Sequence, residues 1–175
     1  MEVASGVQPA LASRTLLLAL VILVTAAAQS AVVPHLALFG ARPDLPLLLT
    51  VMVGLLGGPI AGMSVGFAAG LLQGALDATS PGGAAAVFTL AGYLAGALRA
   101  RLFFETWLVP AAVVGVFTLA VQGARGLLWR PEGWVWSALL ATLAGGALYN
   151  AVLAVPAFAL ARRSRRLLPG AQPPG

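Results

Sequence analysis

The sequence predicts an all-α integral membrane protein with about six transmembrane helices. Of its 175 residues, 60% are hydrophobic and only 9% are charged, which is too apolar for a chain whose whole surface faces water. The apolar residues form runs separated by short segments rich in Gly, Pro and charge. Because about 20 apolar residues suffice to cross a hydrocarbon core of about 30 Å, this length accommodates five or six such helices in a single domain.

The first predicted span covers residues 15–33 and follows a cytoplasmic tail, residues 1–14, that ends in Arg14. The basic residue, the apolar stretch and the small residues Ala26 and Ala28 also fit a cleavable signal peptide. We favour a span, because the helices that follow need a partner helix. Pro34 marks its end.

Residues 45–57 and 59–76 are the second and third predicted spans, and the segment Gly57-Gly58-Pro59 lies between them. A helix over residues 45–57 reaches only about 20 Å, which is short for a crossing. However, Gly-Gly-Pro is typical of a helix end followed by proline at the first position of a new helix. We therefore expect a tight helical hairpin. The alternative, one long helix kinked at Pro59, gives five spans.

Three more spans are predicted after the turn "DATSPGG", over residues 83–98, 106–128 and 134–161. A single polytopic domain thus covers residues 15–161. The basic tail, residues 162–175, opens with the arginine run "RRSRR".

The distribution of arginine predicts the orientation of the chain. Basic residues are enriched in cytoplasmic loops, so we expect the C-terminal arginine run and the loop with Arg99 and Arg101 in the cytoplasm under either count. Six spans then place the N-terminus in the cytoplasm as well, whereas five spans place it outside.

A glycine occupies every fourth position in and just before the segment "GPIAGMSVGFAAGLLQG". Glycine costs about 1 kcal/mol relative to alanine in a helix interior, but between helices in a bilayer it lets two backbones approach closely. We expect this glycine row to pack against another helix of the chain, such as the Gly92/Gly96 face of the next span, or against the helix of a partner protein. The row comprises Gly54, Gly58, Gly62, Gly66, Gly70 and Gly74.

Few polar side chains fall inside the predicted spans. Asn150 follows Tyr149 near the middle of the last span, Gln122 and Arg125 share one face of the fifth, and Gln73 lies on the helix of the glycine row. Such groups are costly at membrane depth and either line a site or hydrogen-bond to neighbouring helices. We expect either a small cavity formed by Gln122, Tyr149 and Asn150, or structural hydrogen bonds, with Arg125 snorkelling to the interface.

The composition excludes most catalytic chemistry. All ten basic residues are arginine, and the chain has no cysteine and one histidine, which removes a Walker-type phosphate loop, Schiff-base chemistry, a thiolate nucleophile and a Cys/His metal site. The acidic residues lie in tails or near span ends. We therefore predict a non-enzymatic protein with no cofactor and no nucleic-acid partner, whose net charge of +5 reflects its orientation in the membrane.

Four segments together suggest a family. They are "RPDLPLLLTVMVGLLGGPIAGMSVGFAAGLLQG", "AGYLAGALRARLF", "WRPEGWVW" and "LYNAVLAVPAF", and in order and spacing they resemble the MreD family of rod shape-determining membrane proteins. That family usually has an aspartate at the place of Gly74, whereas the nearest acid here is Asp77. The matched positions are Arg42, Pro43, Asp44, Gly66, Phe67, Gly70, Arg130, Pro131, Glu132, Trp136, Tyr149, Asn150 and Pro156.

The resemblance implies a non-enzymatic inner-membrane component of the machinery for lateral cell-wall synthesis. It implies binding to the bitopic protein MreC and, through MreC, communication with a class B penicillin-binding transpeptidase, RodA and MreB. It also implies a fold similar to the six-helix S-components of energy-coupling-factor transporters. The alternative function is therefore a small-solute, vitamin-type binding subunit of an importer. Either way, we expect a multi-pass protein of the bacterial inner membrane with a cytoplasmic C-terminus.

Overall fold

The computed structural model describes residues 7–37, 40–77, 80–101, 106–128 and 136–166. Six α-helices follow one another in these residues, with short 3-10 turns at Val33–Leu36 and Arg99–Arg101. The predicted all-α class and the six helices are confirmed. The helices are α1 (Val7–Ala31), α2 (Leu45–Gly57), α3 (Pro59–Leu76), α4 (Pro81–Leu98), α5 (Leu108–Leu128) and α6 (Trp136–Arg166).

Four segments of these helices are long and apolar enough to cross a membrane. They are Pro59–Leu76, Pro81–Arg101, Leu108–Leu127 and Leu139–Arg163. The apolar parts of α1 and α2, Thr15–Ala31 and Leu45–Gly57, are shorter. Complete crossing by α1 and α2 therefore stays a prediction.

The second and third helices form a hairpin. Gly58 separates them with a φ of 91°, a left-handed conformation that side-chain-bearing residues rarely adopt, and Pro59 begins α3. Thr50 Cγ2 lies 3.0 Å from where a Cβ on Gly66 would be. Residues so far apart in sequence meet only if the chain reverses at Gly58. The hairpin prediction is confirmed, and the alternative of one long helix kinked at Pro59 is wrong.

Local sequence signals explain where the helices begin. Asp44 caps α2, since its Oδ1 accepts a hydrogen bond from the Leu47 N–H at 3.1 Å. Ser80 caps α4 by accepting from the Gly83 N–H at 3.3 Å. Both helices and α3 carry proline in the first turn, where its missing N–H breaks no intrahelical hydrogen bond.

Two helix ends differ from the predicted tails at residues 1–14 and 162–175. Helix α1 already begins at Val7, because Pro9 falls in its first turn and does not interrupt the hydrogen-bond ladder. Helix α6 continues to Arg166, because arginine is a good helix former and the next helix breaker is Pro169. The arginine run is therefore helical.

The short helix α2 lies at the centre of the bundle and contacts all five other helices. Its side chains Leu47, Val51 and Leu55 are fully buried and form the core with Phe88 and Val114. Protein therefore surrounds α2 on most sides, which accounts for its being apolar all round.

The hairpin also creates a recess. Helices α2 and α3 share the turn at Gly58, but α2 has 13 residues and α3 has 18. At a rise of about 1.5 Å per residue, the start of α2 lies about 7 Å deeper in the bundle than the end of α3. The loop before α2 forms the floor of this recess.

Candidate functional site

The glycine row lies against α4. A Cβ on Gly70 would come within 2.7 Å of the Ala84 carbonyl oxygen, and a Cβ on Gly74 within 2.7 Å of Pro81 Cα. At Gly62 and Gly66 it would overlap the carbonyl groups of Gly92 and Phe88, respectively. The two remaining row members lie on α2 and in the turn. Gly54, on α2, also approaches the Gly92 carbonyl oxygen of α4, and Gly58 forms the turn of the hairpin.

These contacts decide how the row is used. Helices α3 and α4 form the most extensive helix pair of the described bundle, with their backbones touching along the Gly92/Gly96 face. The groove offered by the glycines is thus filled by a helix of the same chain. It leaves no space for a partner's helix at these positions.

Asn150 ties α6 to the start of α2 and to α5. Its Oδ1 accepts from the Asp44 N–H at 2.9 Å, and its Nδ2 donates to the Asp44 carbonyl oxygen at 3.3 Å and to Thr118 Oγ1 at 3.0 Å. Asn150 and Thr118 are fully buried. All the polar atoms of this carboxamide are therefore used in holding three segments together.

Arg125 joins two carboxylates from different helix ends. Its guanidinium lies 3.1 Å from Asp77 Oδ2, at the end of α3, and 3.7 Å from Asp44 Oδ2, at the start of α2. Gln73 Nε2 donates to both oxygens of Asp77 at 2.9 Å. Arg125 thus connects two helix ends with its side chain 23% exposed, and its snorkelling to the interface stays a prediction.

Gln29 is a site residue that the sequence interpretation missed. Near the end of α1, its Nε2 donates to the Pro43 carbonyl oxygen at 3.0 Å and its Oε1 accepts from the Leu45 N–H at 2.9 Å. A polar side chain in the last turns of an apolar helix could have indicated this contact. However, Gln29 follows Ala26 and Ala28, which also fit the cleavage site of a signal peptide. The contact fixes α1 to the loop before α2.

Burial raises the pKa of the Asp44 carboxyl above its ordinary value of 3.8. The neighbouring Arg125 guanidinium and the Leu47 N–H stabilise the carboxylate and oppose this effect, while the charge of Asp77 adds to it. Desolvation is the largest contribution, because the free energy needed to move a charge out of water exceeds the stabilisation that one long ion pair provides.

A cavity of about 430 Å³ occupies the recess above α2. Its polar lining is Gln29, Arg42, Asp44, Gln122, Arg125 and Thr142, and its apolar wall includes Pro43, Leu139 and Leu143. Gln122 Oε1 lies 2.7 Å from where a Cβ on Gly146 would be, so the glycine makes room for this side chain. We name this cavity the polar pocket.

The model of the family described as rod shape-determining protein MreD matches residues 12–163. The chain belongs to the MreD family. The match extends from α1 to α6 and so covers the whole bundle, which confirms the membership expected from the sequence. Comparison with curated proteins and with solved structures gives no match, so the expected likeness to transporter S-components stays a prediction.

The six polar positions matched to the MreD family divide into three groups. Asp44 and Asn150 meet in direct hydrogen bonds, and Arg42 is exposed at the polar pocket. Tyr149 is half-buried and does not line that pocket. The other two, Arg130 and Glu132, lie outside the described residues.

The cavity expected from the sequence is formed by other residues than predicted. Of Gln122, Tyr149 and Asn150, only Gln122 lines the polar pocket. Asn150 contacts its floor residue Asp44 but is committed to structural hydrogen bonds. Arg42 and Arg125 supply the charged lining instead. The described part of the chain contains no group of His, Asp and Glu side chains that would hold a metal ion.

A second, apolar groove runs along the outer face of the α3–α4 pair. It has a volume of about 490 Å³ and is lined by Met63, Phe67, Leu71, Ala86, Leu90 and Tyr93, among others. Phe67 is 54% exposed and Leu90 is 58% exposed. Since the glycine contacts fix α3 against α4 on the inner side, we expect this outer groove to be preformed.

Proposed function

We propose that this member of the MreD family is a non-enzymatic scaffold of the rod complex in the bacterial inner membrane. In this proposal it binds MreC and supports lateral peptidoglycan synthesis, and through MreC it communicates with a class B penicillin-binding transpeptidase, RodA and MreB. The observation that carries the proposal is the family match over the whole bundle. The polar contacts within the bundle support it, because Arg125, Asp44 and Asn150 are occupied by ion pairs and hydrogen bonds that stabilise the fold.

The surface proposed for MreC is the apolar groove on the α3–α4 pair. The glycine row is covered by α4, so a partner's transmembrane helix needs another face. Association in lipid depends on close packing of side chains into preformed grooves, and this groove combines exposed aromatic side chains with the small residues Gly82, Ala85 and Ala86.

Co-purification with MreC tests both the proposed binding of MreC and the choice of the apolar groove as its site. We expect Ala86→Phe to fill the groove and reduce the recovered MreC by about tenfold, which corresponds to about 1.4 kcal/mol. The matched control is Ala120→Phe, at an exposed position of α5, which should leave recovery unchanged. Failure of the unmodified chain to retain MreC contradicts the scaffold, whereas equal recovery with both variants contradicts only the choice of groove.

The alternative, a vitamin-type binding subunit of an importer, has one supporting observation, the polar pocket of about 430 Å³. This volume falls within the range of about 300–1,000 Å³ that is usual for small-molecule sites. Native mass spectrometry of the purified protein separates the two functions, since it detects either a retained metabolite or an MreC chain.

A further inference from the structure

The lining of the polar pocket is dominated by hydrogen-bond donors. It contains the guanidinium groups of Arg42 and Arg125, the carboxamides of Gln29 and Gln122, and a single carboxylate, that of Asp44. That carboxylate is already bound within the protein, because its Oδ1 accepts from Leu47 N–H and its Oδ2 faces Arg125. Since Arg125 is in turn paired with Asp44 and Asp77, Arg42 is the guanidinium of the lining whose charge is not balanced by a carboxylate of the described residues.

Two of the donors have no partner among the residues that the structure describes. Arg42 is exposed and forms no ion pair or hydrogen bond with the described residues, and Gln122 forms no hydrogen bond there either. By contrast, Gln29 holds the loop before α2 and Arg125 holds two carboxylates. Arg42 and Gln122 are thus available to a ligand, while Gln29 and Arg125 are occupied.

The rest of the pocket indicates what kind of anion fits. Pro43, Leu139 and Leu143 form an apolar wall beside the basic groups. A guanidinium binds the oxygens of a phosphate in a bidentate manner, and a phosphate retains acceptor oxygens for a carboxamide N–H. An esterified phosphate also carries carbon atoms to cover the apolar wall.

We propose that the polar pocket binds a phosphate ester through Arg42 and Gln122. The pocket lies at the end of the bundle opposite the arginine-rich end of α6. At an end of the bundle, both a lipid headgroup and a water-soluble compound can reach it, so the ester is one of these two. This inference goes beyond the proposed scaffold and does not depend on MreC binding.

Two probes distinguish the sources of the phosphate. The protein is purified in a non-ionic detergent and titrated with glycerol 3-phosphate by calorimetry, and retention of phosphatidylglycerol or phosphatidylcholine is measured by native mass spectrometry. Saturable binding of glycerol 3-phosphate indicates a soluble ligand. Selective retention of phosphatidylglycerol without such binding indicates a lipid headgroup.

The variants locate the site. We expect Arg42→Gln to weaken binding of the active probe about tenfold, the effect of losing one charge-assisted hydrogen bond. Gln122→Leu keeps the net charge and should weaken binding several-fold. The matched control is Arg99→Gln, an exposed arginine at the other end of the bundle, which should bind as the unmodified protein does. The proposal is overturned if neither probe binds, or if Arg42→Gln and Arg99→Gln have equal effects.

Discussion

Asn150 shows how one carboxamide can organise the interior of a helical membrane protein. It bonds to both backbone polar groups of Asp44 and to Thr118. The Asp44 carbonyl also accepts from the Leu48 N–H, whereas the Asp44 N–H, at the start of α2, has no partner within the helix and is satisfied by α6. The side chain thereby sets the depth at which the short helix begins.

Replacing Asn150 tests that role. We expect Asn150→Leu to destabilise the protein by about 1–3 kcal/mol, because the buried Asp44 N–H loses its partner, whereas the Asp44 carbonyl still accepts from the Leu48 N–H and Thr118 still donates to the Val114 carbonyl. Leu148→Ala is the control, since Leu148 is 68% exposed and should change stability by less than about 0.5 kcal/mol. Reversible unfolding by SDS in mixed micelles provides both values, and equal stabilities would contradict the structural role.

The buried carboxyl of Asp44 predicts a pH dependence. Its pKa is raised by burial, so ionising it is more costly in the folded than in the unfolded chain. Protonated Asp44 therefore contributes a stability that is fully present below the ordinary pKa of about 4. This contribution is lost as the pH rises through the higher pKa that Asp44 has in the folded chain.

Asp44→Asn isolates this effect, because asparagine keeps the helix cap and stays neutral. We expect the stability of the unmodified protein to fall relative to Asp44→Asn as the pH rises above about 4. Unfolding curves for both proteins at several pH values measure the difference. Curves that run parallel across this range would show that Asp44 ionises as easily in the bundle as in water.

At the scale of helices, the close approach of α3 to α4 depends on the absence of side chains in the glycine row. A Cβ on Gly62 would overlap the Gly92 carbonyl, so we expect Gly62→Ala to destabilise the protein by about 1–3 kcal/mol. Gly123 in α5 has no atom within 4 Å of the corresponding position. Gly123→Ala should therefore be neutral or stabilise by up to about 1 kcal/mol.

The measurement is again SDS-induced unfolding, combined with MreC recovery. A Gly62→Ala variant that keeps full stability but loses MreC would contradict the internal packing and would make the row a partner surface.

Element boundaries were predictable where the sequence carries local signals. Gly57, Gly58 and Pro59 defined the hairpin, and the predicted residues 45–57 and 59–76 agree with α2 and α3. The ends of α1 and α6 lacked such a signal, since nothing in residues 7–14 or 162–166 breaks a helix. The glycine row predicted close packing with two alternative partners, because spacing identifies a bare face and not what covers it; the structure has the first alternative, the Gly92/Gly96 face of α4.

The candidate site was harder to predict, because local patterns do not show which side chains meet in the folded bundle. Asp44, Arg125 and Asn150 were each noted as unusual, but their meeting depends on contacts between residues far apart in the chain, which are properties of the folded bundle. Gln29 was overlooked, since its partners Pro43 and Leu45 lie beyond the following loop.

At the scale of the whole molecule, the hairpin at Gly58 bears on the predicted number of passages through the membrane. If all six helices cross, as we expect, both chain ends lie on one side. Since the chain has no cysteine, we expect single cysteines at Ser5 and Ala171 to react with a membrane-impermeant label only after the cytoplasmic side is exposed. Labelling of the two positions from opposite sides would indicate an odd number of crossings.

The recess above α2 also determines where two opposite charges lie. Helix α2 provides about 20 Å of apolar length, less than the about 30 Å of a hydrocarbon core, and it begins below the level at which the longer helix α3 ends. Arg125 and Asp44 line the recess, so the ion pair between them is held side by side at the start of the shortest helix of the described bundle.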